Sequence, residues 1–331
     1  MSEKIRINKF DNLKGLGIFL IVLGHVLYLE QFSSINFLHN FIFIFHLPVF
    51  FFVSGYFSKI NLDQPVKIFK QIMSPYIIFS LLFFLFYLSY DKHSISLMVF
   101  PAYGLWFLLA LFFMKMSLPI WNRLKYPVLI SLFLAVTFGF ITYDADFLGL
   151  RRTFVFLPAF LIGFYYKDYK IKMENIYPKL SNLLENKIFI ACISVILILS
   201  SIFLAAYLPS SLVKMDSFYP SPKFVNMIFR LLIIILGIGI TLILNRFMTN
   251  EECILTKWGR NSMVIYLFHL FIVKLLKKDF TAFLSAQNEL FVLLFSIVFS
   301  FIIVLILSSD WISKYYNLAL DRIANLILKE N

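Results

Sequence analysis

Charged residues and cysteines are scarce in this sequence. Only 15% of the 331 residues are charged, and the chain has two cysteines, Cys192 and Cys253. One falls within an apolar run and the other in a polar gap, so they indicate neither a disulfide framework nor a catalytic thiol. The sequence also lacks an HExxH zinc motif and a glycine-rich phosphate loop. We therefore expect no metal site and no covalent thiol chemistry.

Apolar residues dominate instead. Hydrophobic residue types make up 61% of the chain and aromatic residues 19%, with a mean hydropathy of +0.86. A soluble domain of this length cannot bury so much apolar surface, so a membrane protein is predicted. The net charge is +12. The basic residues lie in short gaps between apolar runs, where they set membrane orientation, so no nucleic-acid partner is expected.

Apolar runs of nearly bilayer-spanning length recur along the whole chain, separated by short gaps rich in Pro, Asn, Asp and Lys. The pattern predicts an all-α polytopic membrane protein with a single domain, residues 1–331, and no appended soluble domain. We expect a bundle of about ten transmembrane helices, of which the fourth and sixth are short. The predicted spans are 13–29, 40–57, 72–90, 101–116, 127–143, 153–166, 187–207, 224–245, 261–276 and 290–309.

Lysine and arginine are distributed unequally between alternate gaps. The gaps on the side of the N-terminus carry 21 of them and the opposite gaps carry 8, while Arg230 falls inside the eighth span. Cytoplasmic loops are enriched in basic residues, so both termini are predicted to be cytoplasmic. This orientation depends on an even number of spans.

The first apolar run, Phe10 to Leu29, carries the ionisable residues Asp11, Lys14 and His25. A helix turns by about 100° per residue, so the three side chains share one stripe, with about 16 Å of rise between Lys14 and His25. Ionisable groups inside a bilayer are costly and usually functional. The run therefore predicts a functional stripe, with a packing role as the alternative for His25.

The second span places His46 at a depth similar to that of His25. Pro48 removes an amide donor, which leaves the carbonyl of Ile44 without its helical partner and predicts a kink beside His46. Lipid cannot satisfy that carbonyl, so a polar interior is expected. A hydrogen bond that stabilises the kink is the alternative role for His46. His39, seven residues earlier, is expected to be a solvated loop residue.

The eighth and ninth spans also carry polar residues on one face. Arg230 lies on such a face of the eighth span, and snorkelling of its side chain to the interface is the alternative to a functional role. Tyr266 and His269 follow Ser262 at helical spacing in the ninth span. An interhelical hydrogen-bond seam is the alternative there.

Further polar and aromatic residues lie at the predicted outer ends of the fourth and sixth spans. A solvated ion-pair cluster and an aromatic belt are the ordinary explanations for them. These residues are Asp144, Asp146, Arg151 and Arg152, and, at the fourth span, Tyr103 and Trp106. From the residues alone, a bundle with buried histidine and arginine fits a membrane enzyme or a transporter, and periodicity does not separate the two.

Four stretches occur in the order seen in one family of membrane enzymes. They are DNLKGLGIFLIVLGH (11–25), FHLPVFFFVSGYF (45–57), YGLWFLLALF (103–112) and NSMVIYLFH (261–269). Together they resemble acyltransferase family 3, particularly its fucose 4-O-acetylase-like branch. In that family a basic residue in the first span is followed, after ten residues, by a histidine, the spacing of Lys14 and His25. Many members carry a pair of arginines before the third span, where this chain has Lys67 and Lys70.

The resemblance implies a multi-pass enzyme of the cell (inner) membrane that transfers an acyl group to a hydroxyl of a cell-surface glycan or its lipid-linked precursor. The donor is commonly acetyl-CoA, a substrate rather than a permanently bound cofactor. The implied partners are therefore acyl-CoA, a glycan acceptor and membrane lipids.

The resemblance also suggests roles for individual residues. His25 is the implied catalytic base, with Lys14 as its catalytic partner, and an acyl-histidine intermediate is an alternative to direct transfer. CoA carries phosphates, so Lys14, Lys67 and Lys70 are expected to bind the donor from the cytoplasmic side. The expected acceptor or oxyanion residues are His46, Arg152, Arg230, Tyr266 and His269.

Two other classes of protein remain as alternatives. A transporter or flippase for a glycan-lipid also needs buried cations, and a structural subunit of a polysaccharide assembly complex would tolerate loss of His25. Release of free CoA from acetyl-CoA in the presence of acceptor distinguishes an enzyme from both.

Overall fold

The computed structural model describes residues 7–27, 33–61, 64–90, 101, 104–141, 147–215, 218–284 and 286–327. About 86% of the structure is helical, and the described residues contain no strand. A π-helical turn (Phe69–Met73) joins α3 to α4, and 3₁₀ turns cover Phe138–Phe140 and Phe147–Gly149. The helices are α1 (Asn8–Leu27), α2 (Ser33–Tyr56), α3 (Gln64–Ile68), α4 (Ser74–Tyr90), α5 (Trp106–Trp121), α6 (Pro127–Thr137), α7 (Leu150–Phe164), α8 (Tyr166–Ile176), α9 (Pro178–Glu185), α10 (Lys187–Tyr207), α11 (Ser210–Val213), α12 (Lys223–Phe247), α13 (Ile254–Arg260), α14 (Ser262–Leu284), α15 (Glu289–Leu307) and α16 (Asp310–Ile327).

Seven helical segments within the described residues are long and apolar enough to cross a membrane. The pair α13 and α14 is bent by 79° at its junction and makes an eighth if it is one broken span. The seven are Asn8–Leu27, Ile35–Tyr56, Pro65–Phe86, Phe147–Phe164, Lys187–Tyr207, Lys223–Phe247 and Glu289–Leu307. The prediction of an all-α polytopic membrane protein is therefore confirmed.

The ten predicted apolar runs each correspond to a helix, but two of these helices are shorter than a span. They are α5 and the segment Pro127–Phe140, which includes α6. The fourth run is short, as expected. The sixth run corresponds to α7, which has 15 residues and reaches 18 only together with the preceding 3₁₀ turn, where Leu148 and Gly149 have positive φ angles. The number of crossings, and with it the orientation, stays a prediction.

Three of the helices that lie in segments expected to be polar turns or a tail are α8, α9 and α16. The first two, α8 and α9, connect α7 to α10 and bury no residue within the protein. The third, α16, follows α15 and packs Ile312 and Tyr316 against the core. All three have mixed polar and apolar faces, so they lack the continuous apolar run by which a membrane span is recognised.

Helix α1 lies in the centre of the bundle, where it packs against α2, α13, α14 and α15. Its approach to α13 is very close: a Cβ atom on Gly15 would overlap the carbonyl oxygen of Leu255, and one on Gly259 would overlap that of Asp11. The side-chain amide of Asn12 donates to the carbonyl oxygens of Thr249 (3.0 Å) and Glu251 (2.9 Å). These contacts fix the position of α1 along α13, and hence relative to α14.

Cysteine accessibility tests the predicted orientation. In a Cys192→Ser, Cys253→Ser background, we expect a cysteine at Lys179 in α9 to react only with reagents that enter the cytoplasm, because basic loops stay inside. A cysteine at Ser221, in the gap before α12, should react with an impermeant maleimide in intact cells. The equivalent test at Ser2 concerns a position outside the described residues.

Labelling of Lys179→Cys in intact cells by the impermeant maleimide would overturn this orientation. Lysed cells, in which both cysteines should react, provide the control for chemical reactivity.

Candidate active site

Three histidines converge on a cavity of about 220 Å³ between α1, α2 and α7. His25, His39 and His46 line it together with Arg152 and Lys214, and we refer to it as the histidine cavity. His25 comes from α1, and His39 and His46 from α2, seven residues apart on one face. The structure thus brings three of the five histidines of the chain together around one cavity.

His39 differs from its expected place. It lies within α2, is 1% exposed, and packs against the ring of Phe43 at 4.1 Å between centroids. The prediction of a solvated loop residue is wrong, because α2 begins at Ser33 and so includes His39 in the bundle. The same helix continues through Pro48 to Tyr56.

His269 on α14 lies directly behind His25. Their ring centroids are 5.4 Å apart, and the His269 side chain is fully buried. The Nδ1 atom of His269 lies 2.9 Å from the carbonyl oxygen of Ile265. A carbonyl only accepts, so Nδ1 carries the proton and Nε2 of the neutral ring keeps its lone pair. No described residue makes a hydrogen bond to that Nε2 atom.

His46 is oriented in the same way. Its Nδ1 lies 2.9 Å from the carbonyl oxygen of Ile42, one turn earlier in α2. This acceptor is not the Ile44 carbonyl that Pro48 leaves without its helical partner, so a kink-stabilising role for His46 stays a prediction. The other edge of the ring faces the histidine cavity. Phe43 packs edge-on against His46 at 4.5 Å and against His25 at 6.1 Å. One aromatic ring therefore separates the two imidazoles.

Two cations complete the histidine cavity. The Arg152 guanidinium lies over the Trp106 ring, 4.2 Å from its centroid. Lys214 follows the short helix α11 and was not predicted from the sequence, where it belongs to no motif. The adjacent Arg151 is buried elsewhere and donates to the carbonyl oxygen of Ile141 (3.3 Å). Three residues of the predicted outer clusters, Tyr103, Asp144 and Asp146, lie outside the described residues.

Arg230 lines neither of the cavities described here. It is 1% exposed, and its guanidinium lies over the Tyr219 ring at 4.5 Å. The Tyr219 hydroxyl donates to the carbonyl oxygen of Val136 (2.8 Å), and the Tyr219 amide donates to that of Gly139 (2.8 Å). Arg230 thus packs against the segment before α12, which the two hydrogen bonds of Tyr219 attach to the region around the end of α6.

A second and larger cavity, of about 620 Å³, lies nearer the N-terminal end of α1, whereas His25 is near its C-terminal end. Lys14, Lys70, Lys115 and Arg260 line it, and we refer to it as the lysine cavity. All four belong to gaps or span ends predicted to be cytoplasmic. Lys67 does not line it. Lys115 and Arg260 were not among the predicted site residues, since each was counted only as a charge that sets orientation.

Carboxylates compensate most of these cations. Asp11, which is buried, accepts from Lys14 at 2.9 Å and lies 4.0 Å from the Nε of Arg260. Arg260 also pairs with Glu252 at 2.7 Å. The helix stripe predicted from Asp11 and Lys14 is therefore an ion pair, and α13 joins it through Arg260.

Helix α16 forms part of the wall of the lysine cavity. Asp321 pairs with Lys70 at 3.2 Å, and Tyr316 lines the cavity. Burial raises the pKa of the Tyr316 phenol above its ordinary value, so the group is a neutral donor. Its hydroxyl is buried and has no hydrogen-bond partner among the described residues. This wall could not be expected from the sequence, where α16 appears as a tail after the last apolar run.

The two cavities share one wall. Ile21, Leu47, Phe107 and Tyr266 line both of them. The Tyr266 hydroxyl donates to the carbonyl oxygen of Gly104, which holds α14 against the segment before α5. The cationic side and the imidazole side are thus separated by three apolar side chains and one phenol.

The chemistry available is that of imidazole and cations. Among the described ranges, no group of three or more His, Cys, Asp or Glu side chains is placed to hold a metal ion. The imidazoles can accept or pass a proton, and Arg152 or Lys214 can stabilise developing negative charge on an oxygen.

Comparison with known proteins identifies one family. The family model described as an acyltransferase domain, Acyl_transf_3, matches residues 7–309. The match includes α1 to α15 and ends just before α16. No curated protein and no solved structure matches the chain.

Arg230→Met tests whether this buried guanidinium is structural. Removal of the cation from the Tyr219 ring is expected to cost about 2 kcal/mol, as desolvated cation–π contacts do, and to lower the melting temperature in detergent. Catalytic turnover per folded molecule should stay close to that of the parent protein, because Arg230 lines neither cavity.

Tyr219→Leu should lower stability more than Arg230→Met, because it also removes the hydrogen bond to Val136. The double variant should lose little more than Tyr219→Leu alone. Loss of turnover at an unchanged melting temperature would instead assign Arg230 to acceptor binding.

Proposed function

We propose a specific reaction for this chain, which belongs to acyltransferase family 3 and is therefore a membrane acyltransferase. In this proposal it transfers an acetyl group from acetyl-CoA to a hydroxyl of a cell-surface or exported polysaccharide, or of its lipid-linked precursor. Membership of this family favours an enzyme over a transporter or an assembly subunit. The proposed location is the inner membrane of a bacterial cell.

The observation that carries the proposal is the pair of cavities with a common wall. Lys14 lines the lysine cavity and His25 the histidine cavity, and both belong to α1. Eleven residues of helix separate them by about 16 Å along the axis. A donor with phosphates at one end and a thioester at the end of a flexible arm can place the phosphates beside lysines and the thioester beside the histidines.

The donor would enter from the lysine cavity. Phosphate groups are bound well by lysine and arginine, which Lys14, Lys70 and Arg260 supply. The pantetheine arm, thin and mostly apolar, would pass between Ile21, Leu47, Phe107 and Tyr266. If the orientation predicted from the charge distribution holds, the donor is cytoplasmic and only the acetyl group crosses.

His25 is the proposed general base. One ring nitrogen would take the proton from the acceptor hydroxyl as its oxygen attacks the thioester carbonyl carbon. The bond from this carbon to sulfur then breaks, and the departing thiolate takes the proton from the imidazolium. The products are the acetyl ester and CoA, with no net gain of protons by the enzyme. Attack by His25 itself, to form an acyl-histidine that the hydroxyl then cleaves, is the alternative route.

Neighbouring residues would support this step. His269 lies 5.4 Å from His25, and the lone pair on its Nε2 atom would accept a proton from His25 during the reaction. Arg152 would stabilise the negative oxygen of the tetrahedral intermediate or hold an acceptor hydroxyl, since its guanidinium is fixed on Trp106. His46 and Tyr266 would position acceptor and donor on either side of the shared wall.

His25→Gln separates catalysis from packing. Glutamine keeps hydrogen-bonding capacity but cannot take a proton at neutral pH, so acetyl transfer should fall by about 10² to 10⁴ if His25 is the base. The melting temperature should change little. The measurement is the transfer of acetyl from acetyl-CoA to the native glycan by purified protein, followed by mass analysis of the glycan and assay of free CoA.

His46→Gln is the matched control, since it replaces a second cavity histidine with the same side chain. We expect a milder loss from it, because in this mechanism His46 positions the acceptor and does not take its proton. Nearly normal turnover in His25→Gln would contradict the mechanism and move the base to His269 or His46.

A further inference from the structure

Lys115 differs from the other cations of the lysine cavity. Lys14, Lys70 and Arg260 each pair with a carboxylate, from Asp11, Asp321 and Glu252 respectively. Among the described residues, no carboxylate lies within ion-pair distance of Lys115. Of the four cations that line this cavity, Lys115 is therefore the one without a carboxylate partner in the part of the chain that the structure describes.

The surroundings of Lys115 orient this charge. Its Nζ donates to the Ser58 hydroxyl at 3.0 Å, and that hydroxyl donates to the carbonyl oxygen of Ser54 at 2.7 Å. The hydroxyl is thereby fixed as an acceptor for Lys115. Ser58 is 7% exposed and lies just beyond the end of α2, whereas Lys115 lies in α5. An ammonium has three hydrogens, so two remain for a ligand in the cavity.

A partly buried ammonium without a counter-ion costs free energy, which a bound anion can offset. We propose that Lys115 binds a phosphate group of the acyl donor and is the principal phosphate anchor of the lysine cavity. This inference rests on the proposed function, in which acetyl-CoA occupies that cavity. The lysines that the sequence suggested are less available, because Lys14 and Lys70 would first have to release Asp11 and Asp321.

Phosphate fits this position better than a carboxylate or a neutral group. Lysine binds phosphate as a compact point charge, and the phosphates of CoA carry several negative charges that exchange their hydration for such contacts. The Ser58 hydroxyl holds the side chain in a single place, so little rotamer freedom is lost on binding. Attraction between these charges weakens with added salt, which makes the contact measurable.

Calorimetric titration of the full-length protein in detergent tests the proposal, with acetyl-CoA and S-acetyl-pantetheine as the two probes. Lys115→Gln should raise the dissociation constant of acetyl-CoA by about tenfold, the effect of losing a charge-assisted hydrogen bond. The affinity of the Lys115→Gln variant for acetyl-CoA should also depend less on the salt concentration than that of the parent protein. The dissociation constant of S-acetyl-pantetheine, which has no phosphate, should not change. Lys115→Arg should retain most of the affinity because it keeps the charge.

Lys125→Gln is the matched control. Lys125 is exposed in the following gap, where its Nζ lies 5.3 Å from the ring of Tyr126, and it does not line the lysine cavity. The same change of charge there should leave both titrations unaltered. If Lys115→Gln does not fold, Ser58→Asp provides a second test, because a carboxylate at residue 58 would occupy the ammonium and should weaken acetyl-CoA binding similarly.

The outcomes separate this inference from the proposed function. Absence of acetyl-CoA binding by the parent protein would contradict the donor assignment itself. Normal binding by the parent protein with an unchanged dissociation constant in Lys115→Gln, or in Ser58→Asp if the first variant does not fold, would overturn the role of Lys115 alone. An equal loss of affinity for acetyl-CoA and S-acetyl-pantetheine would also overturn it, since that result indicates a distorted cavity rather than a lost phosphate contact.

Discussion

The position of α1 against α13 is the constraint on which the site depends. The buried Asp11 carboxylate joins Lys14 of its own helix to Arg260 at the end of α13. Glycine contacts allow the two backbones to touch. Because α14 follows α13 directly, this arrangement also determines where the later turns of α14 lie along α1. His25 and His269 meet at 5.4 Å as a consequence, although they are distant in the sequence.

Much of this arrangement could be predicted from the sequence, because it depends on local periodicity. The apolar runs indicated the helices, and the helical repeat placed Asp11 and Lys14 on one stripe with His25. The family motifs linked that stripe to acyl transfer, and the match over residues 7–309 confirms the family. The predicted span boundaries also placed His46 and His25 at a similar depth in the membrane. These inferences need only one helix at a time, or one motif.

The remaining features depend on contacts between distant helices, which periodicity does not report. Lys115 looked like an ordinary loop charge, although its partner Ser58 is 57 residues away. Arg230 shared a polar face in its helix, but Tyr219 in the preceding segment takes that face. His39 was misplaced because the start of α2 is set by packing. The role of α16 was hidden because an amphipathic helix has no uninterrupted apolar run.

The central claim is that donor and acceptor meet across the shared wall of the two cavities, so that the acetyl group crosses while CoA does not. Transfer in sealed proteoliposomes tests this most directly, with labelled acetyl-CoA on the side of the lysine cavity and the glycan acceptor on the other. Labelled glycan is expected on the acceptor side and all CoA on the donor side. Transfer only when donor and acceptor share one compartment, or release of CoA on the acceptor side, would contradict it.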